Sequence, residues 1–529
     1  MTTRNSPLVT ERSRLFSALE RKQQVDLIII GGGATGLGLA LDAVLRGLTV
    51  VLLEAYDLAK GTSSRATKLV HGGVRYLAQG DICLVREALR ERKQLLRNAS
   101  HLAQPLAFVM PSYSRLEIPF YAVGLNAYDL LAGPNGLGHT QVLASRRVQE
   151  LLPGVRTAGL KGGIKYWDGQ FDDARLALAL ARSAAAQGAL ILNYAPVMDI
   201  LHDNGRVTGV RCKDSETERE YDIYSPCVIN ATGVWVDDIR QMDGKSAGRE
   251  SQAMVSPSQG VHLVVEQHFL NSEHALLVPK TRDGRVLFAV PWLGKLILGT
   301  TDTAVQQLDI EPRPLRAEVD FILSEAGKYL QRAPQRSDVL SVWAGLRPLV
   351  KPPSNEGGDT KKLSREHTVL VSPSGLVSVT GGKWTTYRSM AENVLEKCVH
   401  AGLLPSLPAS RTADFRLIGS PLENRHHSMA HAPNLEVYGS EADWVQSLPG
   451  ADIELYPGLS VAMIRFACRY EYARNLEDML ARRFRLLFLD ARQAARIAPE
   501  VANVMQEELA CDPQLEAFLQ LCEQYSTVP

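Results

Sequence analysis

The chain of 529 residues is long enough for two or three domains and a large apolar core. Its 58 lysines and arginines balance 58 aspartates and glutamates, so the overall charge gives no sign of nucleic-acid binding. Seven scattered cysteines without a C-x-x-C pair predict reduced thiols, with neither a disulfide framework nor a metal site. No apolar run reaches the about 18 residues of a membrane-spanning helix.

Residues 1–24 are polar and include Glu11 and Glu20. They lack the apolar core of a secretory signal, and their acidic side chains disfavour a mitochondrial presequence. We therefore predict a polar leader that is flexible or loosely docked.

The strongest pattern begins at Val25. Val25–Ile30 is a continuous apolar run, typical of a buried parallel strand. Helical apolar spacing follows over Leu37–Leu45, and a second apolar strand, Thr49–Leu53, ends at Glu54. Between the first strand and the helix lie the glycines of a G-x-G-x-x-G motif, Gly31, Gly33 and Gly36.

Each residue of this motif has a physical role in dinucleotide binding. Gly31 permits the tight turn, Gly33 lets a pyrophosphate approach the backbone, and Gly36 lets the helix pack closely on the strand. The helix N-terminus offers N–H groups to phosphate, and Glu54 can accept hydrogen bonds from a ribose diol. The pattern predicts a dinucleotide site; the alternative is an ordinary βαβ turn.

Residues 59–77 form a polar stretch that we predict to be loop-rich. Loops that follow a first βαβ unit face the cofactor, although a solvated polar loop is an equal alternative here. The candidate hydrogen-bond donors and cations are Thr62, Ser63, Ser64, Lys68, His71 and Arg75.

The segment Arg115–Leu131 contains several apolar and aromatic residues. We expect it to pack into the protein core, and an interfacial membrane segment is the alternative. Farther along, the buried strand Cys227–Ala231 leads into Ala231-Thr232-Gly233, where the backbone can approach a nucleotide a second time. Antiparallel strand patterns between Val261 and Asp302 then predict a second, β-rich domain.

A second strand–glycine–helix pattern occurs late in the chain. The predicted strand Leu376–Thr380 is followed by Gly381-Gly382-Lys383-Trp384-Thr385-Thr386 and the predicted helix Arg388–Val399, so another helix N-terminus can face an anion. The chain contains one dinucleotide fingerprint. A flavin held there would therefore pass its electrons to a quinone, oxygen or a carrier and not to NAD.

Several longer segments are more diagnostic than the glycines. The fingerprint, the loop GTSSRATKLVHGGVRYL, the segments VINATGVWV, VPWLGKLILGTTDT and AGLRPL, and VTGGKWTTYR together resemble FAD-dependent glycerol-3-phosphate dehydrogenase, a family of the glycine/D-amino-acid-oxidase-like flavoproteins. YEYARNLEDMLARRFRLLFLDA is similar to the helical C-terminal domain of that family. The resemblance runs from Val25 to the end of the chain.

The resemblance implies an α/β fold in which a Rossmann-like FAD-binding domain is interleaved with an antiparallel-sheet substrate domain, followed by an all-α C-terminal domain. The FAD-binding segments would be residues 25–105, 150–240 and 365–400, and the substrate segments 106–149 and 241–364. A linker would occupy 401–434 and the helical domain 435–529. FAD would be held by Gly31, Gly33, Gly36, Glu54, Thr62, Ser63, Ser64, Lys68, His71, Gly72, Ala231, Gly233, Gly381, Gly382 and Thr385.

The implied reaction oxidises sn-glycerol 3-phosphate to dihydroxyacetone phosphate by hydride transfer to FAD. The substrate phosphate would be held by Arg75, Tyr76, Lys383, Thr386 and Arg365. Arg347 and Lys383 would act at the reacting end, where Arg347 stabilises developing negative charge. His262 is the acid–base candidate. The alternatives are structural ion pairs for the cations and a core residue for the histidine.

The resemblance also implies a respiratory quinone as electron acceptor and a cytoplasmic protein held peripherally on the cytoplasmic membrane, and it allows a homodimer. The chain lacks the calcium-binding loop pattern of animal mitochondrial members, which favours a bacterial protein. Three other functions stay open: a glycerol-3-phosphate oxidase that uses oxygen, another amine or 2-hydroxy-acid oxidase of this fold, and a non-enzymatic flavin-binding module. The several cations argue against the second.

Overall fold

The computed structural model describes residues 7–73, 81–246, 252–351, 367–423 and 427–529. The strands are β1 (Leu27–Ile30), β2 (Val50–Leu53), β3 (Leu69–Val70), β4 (Ala103–Ser112), β5 (Gln141–Ala144), β6 (Gly162–Phe171), β7 (Leu190–Leu192), β8 (Val197–Asp203), β9 (Arg206–Lys213), β10 (Glu220–Tyr224), β11 (Cys227–Asn230), β12 (Val255–Glu266), β13 (Ala275–Val278), β14 (Leu287–Trp292), β15 (Lys295–Gly299), β16 (Thr303–Ala304), β17 (Ser341–Val350), β18 (Thr368–Val371), β19 (Val377–Thr380), β20 (Glu454–Tyr456) and β21 (Leu459–Ser460).

The helices are α1 (Arg12–Arg21), α2 (Ala34–Leu45), α3 (Ile82–Asn98), α4 (Glu117–Ala132), α5 (Ser145–Leu151), α6 (Asp173–Ala186), α7 (Val236–Ser246), α8 (Arg316–Gly327), α9 (Tyr387–His400), α10 (Ala442–Gln446), α11 (Val461–Tyr470), α12 (Leu486–Leu489), α13 (Ala491–Leu509) and α14 (Leu515–Ser526). A π-helical turn covers Asp478–Arg483. None of the helices in the described ranges combines the length and the apolar character that crossing a bilayer requires.

The nucleotide-type sheet has six strands in the order β18-β19-β11-β1-β2-β7. All but the β18–β19 pair are parallel, with Leu27 opposite both Cys227 and Val50. Every residue of β1, β2 and β11 is buried, as expected for short apolar strands covered on both faces. Helices α2, α6 and α9 pack together beside this sheet. The predicted Rossmann-like domain is confirmed.

The second sheet has ten strands and is antiparallel apart from the pairing of β4 with β13. Its two longest pairings, equal in length, join β4 to β6 and β12 to β17. In the second, Val255 lies opposite Val350 and Val264 opposite Ser341. The predicted antiparallel domain is confirmed. Strand β6 belongs to this sheet although it lies within the predicted FAD-binding segment 150–240. Strands β8, β9 and β10 of the same segment form a separate three-stranded sheet, so the segment is divided among three sheets.

The C-terminal region is helical, as predicted, apart from the short hairpin β20–β21. Its helices α11, α13 and α14 pack on one another through buried apolar side chains. The described part of the predicted linker 401–434 is anchored on both sides: the Leu417 N–H donates to Asn98 O, and the Leu293 N–H donates to Met429 O.

The predicted loose leader is wrong for its described residues, because α1 is docked on the protein. Phe16 and Leu19 are buried, and the Arg12 guanidinium donates to Asp214 at 3.0 Å. A narrow apolar stripe within a polar sequence carries this contact. The overall polarity of the segment therefore hid the docking.

Candidate active site

A cavity of about 720 Å³ lies where the two sheets meet. One wall is formed by turns that follow the carboxyl ends of β1, β11 and β19, and the opposite wall by β12 and β17. Ligands of open parallel sheets bind at such carboxyl ends. The predicted residues on the wall are Gly31, Gly33, Glu54, Thr62, Ser63, His71, Ala231, Gly233, His262, Arg347, Gly381, Gly382, Lys383 and Thr385. Arg75, Tyr76 and Arg365 lie outside the described residues.

The glycine turn after β1 is shaped by close backbone contacts. Gly31 has φ +109°, and a Cβ there would lie 2.7 Å from the carbonyl oxygen of Ala231. A Cβ on Gly36 would lie 1.9 Å from the Gly31 carbonyl oxygen, so Gly36 has the packing role predicted for it, away from the wall. At Gly33 a Cβ would fill the space beside Ser63, 3.0 Å from its hydroxyl oxygen. This cradle fits a dinucleotide pyrophosphate.

Two side chains hold this turn in place. The Ser63 hydroxyl oxygen accepts the Ala34 N–H at 2.9 Å, at the N-terminus of α2. The carboxylate of Glu54 accepts the N–H groups of Gly32 and Tyr56 at 2.6 and 2.9 Å. Burial raises the pKa of Glu54. Glu54 therefore fixes the turn in addition to facing the cavity, where its remaining lone pairs can accept from a ribose.

The structure places Ser64 and Lys68, both predicted to hold FAD, behind the cavity wall. Lys68 is fully buried and its Nζ donates to Asp173 at 2.7 Å and to Ser64 O at 2.8 Å. Its ammonium lies 5.0 Å from the ring centre of Trp343 and 5.2 Å from that of Trp292. Burial lowers the pKa of Lys68 to about 7, against the opposing effect of Asp173. These contacts give Lys68 a structural role in the loop that follows β2.

Gly72 and Thr386 also lie off the wall. The Gly72 N–H donates to the Tyr128 hydroxyl at 2.9 Å. The Thr386 hydroxyl donates back to Lys383 O at 3.3 Å, because a 3₁₀ turn over Trp384–Thr386 separates the second glycine turn from α9. The helix therefore begins after this turn, although the backbone of Gly381, at φ +83°, still lines the cavity.

Arg347 projects from β17 across a gap in the neighbouring strand. A Cβ on Gly260 would lie 2.2 Å from a terminal nitrogen of Arg347, so this glycine makes room for the guanidinium. Arg347 donates to the Thr300 hydroxyl at 3.0 Å and to the Asp302 carboxylate at 3.3 Å. About a quarter of the Arg347 side chain is exposed, at 26%. The guanidinium is thus held in one direction while part of it faces the cavity.

His262 lies on β12 and is 2% exposed. Its Nε2 is 3.0 Å from the Thr67 hydroxyl, and its ring stacks on Trp343 with 4.3 Å between centres. Its Nδ1 has no hydrogen-bond partner among the described residues. Burial, followed by repulsion from Arg347 and Lys68, lowers the pKa of His262 well below its usual value. The imidazole is therefore neutral at neutral pH.

The wall also contains residues that were not predicted from the sequence, among them Thr67, Gly260, Thr300 and Trp384. The Trp384 indole N–H donates to Ser63 O at 2.9 Å and joins the second glycine turn to the loop whose Ser63 hydroxyl holds the first. Only the glycine of the Q-G-V-H segment, two residues before His262, carried a usable signal, since a strand glycine often marks a close approach.

The helical domain also reaches the loop beneath the cavity. The fully buried Asp57 carboxylate pairs with both Arg482 and Arg483. Burial raises the pKa of the Asp57 carboxyl, but the two arginines together outweigh burial and lower this pKa overall. Arg485 donates to Ser64 O at 2.8 Å, the same oxygen that Lys68 contacts. The loop that follows β2 is therefore fixed by residues more than 400 positions later in the chain.

Comparison with known families agrees with this geometry. A model described as FAD dependent oxidoreductase matches residues 26–388, and one described as C-terminal domain of alpha-glycerophosphate oxidase matches residues 410–515. The first match alone spans well over half of the chain, and it covers both walls of the cavity. The chain is thus an FAD-dependent oxidoreductase, and FAD is its cofactor.

Individual relatives narrow the class. The mitochondrial glycerol-3-phosphate dehydrogenase of Macaca fascicularis is 41% identical over 538 residues, covering 95% of this chain and 73% of that protein. The structure of glycerol-3-phosphate dehydrogenase from Bacillus halodurans with FAD has a TM-score of 0.77, 29% identity and 98% coverage of both chains. An FAD-bound L-alpha-glycerophosphate oxidase from Mycoplasma pneumoniae shares the fold, with a TM-score of 0.56, 18% identity and coverage of 74% and 98%. The chain belongs to the FAD-dependent glycerol-3-phosphate dehydrogenase family.

Proposed function

We propose that this chain oxidises sn-glycerol 3-phosphate to dihydroxyacetone phosphate and delivers the electrons to a respiratory quinone at the cytoplasmic membrane. The observation that carries the substrate assignment is the meeting of Arg347, Lys383 and His262 on the wall of one cavity with the dinucleotide-type glycine turn. Two cations suit a phosphate ester and a developing oxyanion, and a neutral imidazole suits proton removal.

Each residue has a distinct part in this proposal. Lys383, beside the second glycine turn, binds the substrate phosphate together with the motif cations Arg75 and Arg365. Arg347, fixed by Thr300 and Asp302, stabilises negative charge on the C2 oxygen. The Nε2 of His262 accepts the C2 hydroxyl proton. FAD, when bound by the glycine turns, supplies the hydride acceptor.

A quinone is favoured as acceptor by two observations. The described residues contain one dinucleotide-type βαβ turn, whereas passing electrons on to NAD(P) would need a second nucleotide site. The sequence relative named a dehydrogenase is 41% identical, whereas the likeness to an oxidase is 18% and extends to the fold alone. We accordingly propose a bacterial enzyme located in the cytoplasm and held peripherally on the membrane, with a homodimer left open.

Anaerobic reduction of the purified holoenzyme tests the substrate. We expect sn-glycerol 3-phosphate to bleach the flavin band and unphosphorylated glycerol at the same concentration to leave it unchanged. Equal bleaching by both compounds would contradict the phosphate site. A flavin that neither reduces would contradict the assigned reaction and favour a binding module.

The reduced enzyme is then mixed with a water-soluble short-chain quinone or with oxygen, and flavin reoxidation is followed. We expect fast reoxidation by quinone and slow reoxidation by oxygen, with little peroxide. The second candidate function, a glycerol-3-phosphate oxidase, is kept because residues 410–515 match the C-terminal domain of such an enzyme. Fast reoxidation by oxygen with one peroxide per substrate would establish it.

A further inference from the structure

Helix α4 carries an apolar stripe on its outer face. Its positions are Leu116, just before the helix, then Phe120, Val123, Ala127 and Leu130, which repeat at helical spacing on one side. The four large side chains are 87%, 74%, 73% and 83% exposed in that order. The stripe is about 21 Å long at the ordinary rise of an α-helix. Exposed apolar patches of this kind mark interaction sites.

The helix cannot rotate to hide this stripe, because its opposite face is already packed. Leu125, Tyr128 and Ala132 are buried on that side. The expectation of core packing for residues 115–131 therefore holds for one face only. Strand β5 runs beside the helix and adds Val142, which is 60% exposed, to the same apolar surface.

Acidic and basic side chains around the stripe differ in their contacts: the acidic ones bond to the protein, whereas the basic ones are exposed. The Asp129 carboxylate accepts the Thr140 N–H at 2.6 Å, and the Glu117 carboxylate accepts the Ser112 hydroxyl at 3.0 Å, so both are engaged by the protein. Arg115 is exposed at the start of the helix. Arg146 and Arg147, which follow β5, have side chains 92% and 57% exposed and share one surface acid, Glu150. Surface pairs of this kind are weak, so a basic rim remains.

We propose that this surface, the α4 stripe with Val142 and the three arginines, docks the protein on a bilayer that contains anionic lipid. A convex helix with an apolar face and a basic rim lies in the interfacial plane of a membrane, its apolar side chains among the acyl chains and its arginines near the phosphates. A second copy of this chain paired through the same surface would bury the apolar residues but would bring the two arginine rims together, whereas anionic lipid supplies the opposite charge. The inference rests on the proposed quinone acceptor, which is dissolved in the bilayer.

The test is co-sedimentation of the full-length holoenzyme with vesicles of phosphatidylcholine alone or mixed with phosphatidylglycerol. The stripe variant carries Phe120→Ser, Val123→Ser and Leu130→Ser. Its matched control carries three exposed apolar residues changed elsewhere, Met198→Ser, Leu422→Ser and Ile453→Ser. Flavin content and turnover with a water-soluble dye are measured for all proteins and are expected to be unchanged.

We expect the wild type and the control to bind mixed vesicles more strongly than neutral ones, and the stripe variant to bind at least about tenfold more weakly. Equal binding by the stripe variant overturns the proposal, as does a wild type that does not sediment with either vesicle. A wild-type dimer that becomes monomeric in the stripe variant, with no change in vesicle binding, also overturns it, because the stripe is then a contact between copies.

Quinone reduction is measured separately in detergent, where no bilayer is required. Failure of the wild type to reduce quinone there, combined with stripe-dependent vesicle binding, contradicts the proposed acceptor and supports the docking surface. Normal quinone reduction in detergent, combined with vesicle binding that does not depend on the stripe, supports the proposed acceptor and contradicts the docking surface. The two proposals therefore fail in distinguishable ways.

Discussion

The two walls of the cavity are built in different ways. The nucleotide wall consists mainly of backbone: glycine turns after β1 and β19, and a serine that accepts the first N–H of α2. The substrate wall consists of side chains on antiparallel strands, Arg347 and His262, each fixed by neighbours from distant segments. A wall of backbone is encoded in consecutive residues, whereas a wall of side chains depends on how strands pair.

This difference predicts separable defects. Changes in the substrate wall are expected to abolish turnover while leaving FAD bound, and changes in the nucleotide wall to weaken FAD binding first. The largest effect is expected for Arg347→Ala, because Thr300 and Asp302 hold this guanidinium toward the reacting oxygen. We expect kcat/KM to fall about 10²–10³-fold, the size seen for loss of one oxyanion donor.

Measurements for Arg347→Ala are steady-state kinetics and the flavin-to-protein absorbance ratio. Arg332→Ala is the matched control, since this exposed arginine pairs with Asp338 at the surface. A flavin-free Arg347 variant would show that the arginine is structural and would remove the distinction between the walls. Arg347→Lys separates charge from geometry, because an ammonium cannot reproduce the two directed hydrogen bonds.

His262→Asn is expected to have the next largest effect, about 10²-fold in kcat, since the imidazole is the proposed proton acceptor. Burial lowers the pKa of His262, so the side chain is neutral at any pH at or above the usual pKa of an imidazole. The wild-type rate should therefore be flat above about pH 6.5 and fall only at lower pH. Protonation of His262 is also disfavoured in the folded state. The folded protein should therefore lose stability as the pH falls below the pKa of the imidazole in the unfolded chain.

The pH profile of kcat/KM and thermal unfolding in acid check these expectations. A wild-type acid limb centred above pH 7 that disappears in His262→Asn would show that the imidazole titrates in a hydrated setting. Full activity in the variant would place His262 among ordinary core residues stacked on Trp343.

Gly33→Ala tests the backbone wall. Gly33 has φ −86°, which alanine adopts without strain, but the new Cβ would lie 3.0 Å from the Ser63 hydroxyl in the space assigned to pyrophosphate. We expect FAD to bind at least about tenfold more weakly to the apoprotein, with kcat of the fully loaded enzyme preserved. Gly124→Ala, where a Cβ meets open space, is the control. Unchanged FAD affinity would place the pyrophosphate elsewhere.

The difference between the backbone wall and the side-chain wall also explains how much of the site could be predicted from the sequence. The glycine turn and both sheets were predictable, because strand patterns and turn glycines are local. The roles of Arg347 and His262 were predicted mainly from the resemblance, and their partners Thr300 and Thr67 were not predicted. Pairings between strands decide which side chains meet, and no local pattern encodes them.

The loop after β2 shows the limit most clearly. Ser63 and Ser64 are adjacent hydroxyl residues of the same type, yet one faces the cavity and the other is buried behind it. The sequence makes Lys68 a candidate cation for a phosphate, but in the structure its ammonium is bonded to Asp173. The contacts of Asp57 with Arg482 and Arg483 span more than 400 residues. Orientation within a polar loop is set by such distant partners.

Ser63→Ala should give the smallest effect, because Ser63 joins the two turns through different atoms. Its hydroxyl oxygen accepts the Ala34 N–H at the start of α2, and its carbonyl accepts the Trp384 indole N–H. Alanine removes only the first contact, so we expect a loss of about 0.5–2 kcal/mol in stability, as for other helix N-terminal acceptors. FAD affinity should fall only a few-fold, since α2 keeps its other N–H groups.

Thermal unfolding of the apoprotein and FAD titration measure this, with Ser447→Ala, an exposed serine whose hydroxyl bonds Trp444 O, as control. Trp384→Phe removes the second contact while leaving the first. If the backbone wall is one unit, both variants should weaken FAD binding and leave kcat of loaded enzyme unchanged. A change confined to kcat would mean that Ser63 positions the substrate wall, through the neighbouring contact of Thr62 with Leu346 O. The division between backbone and side-chain walls would then not hold at their shared loop.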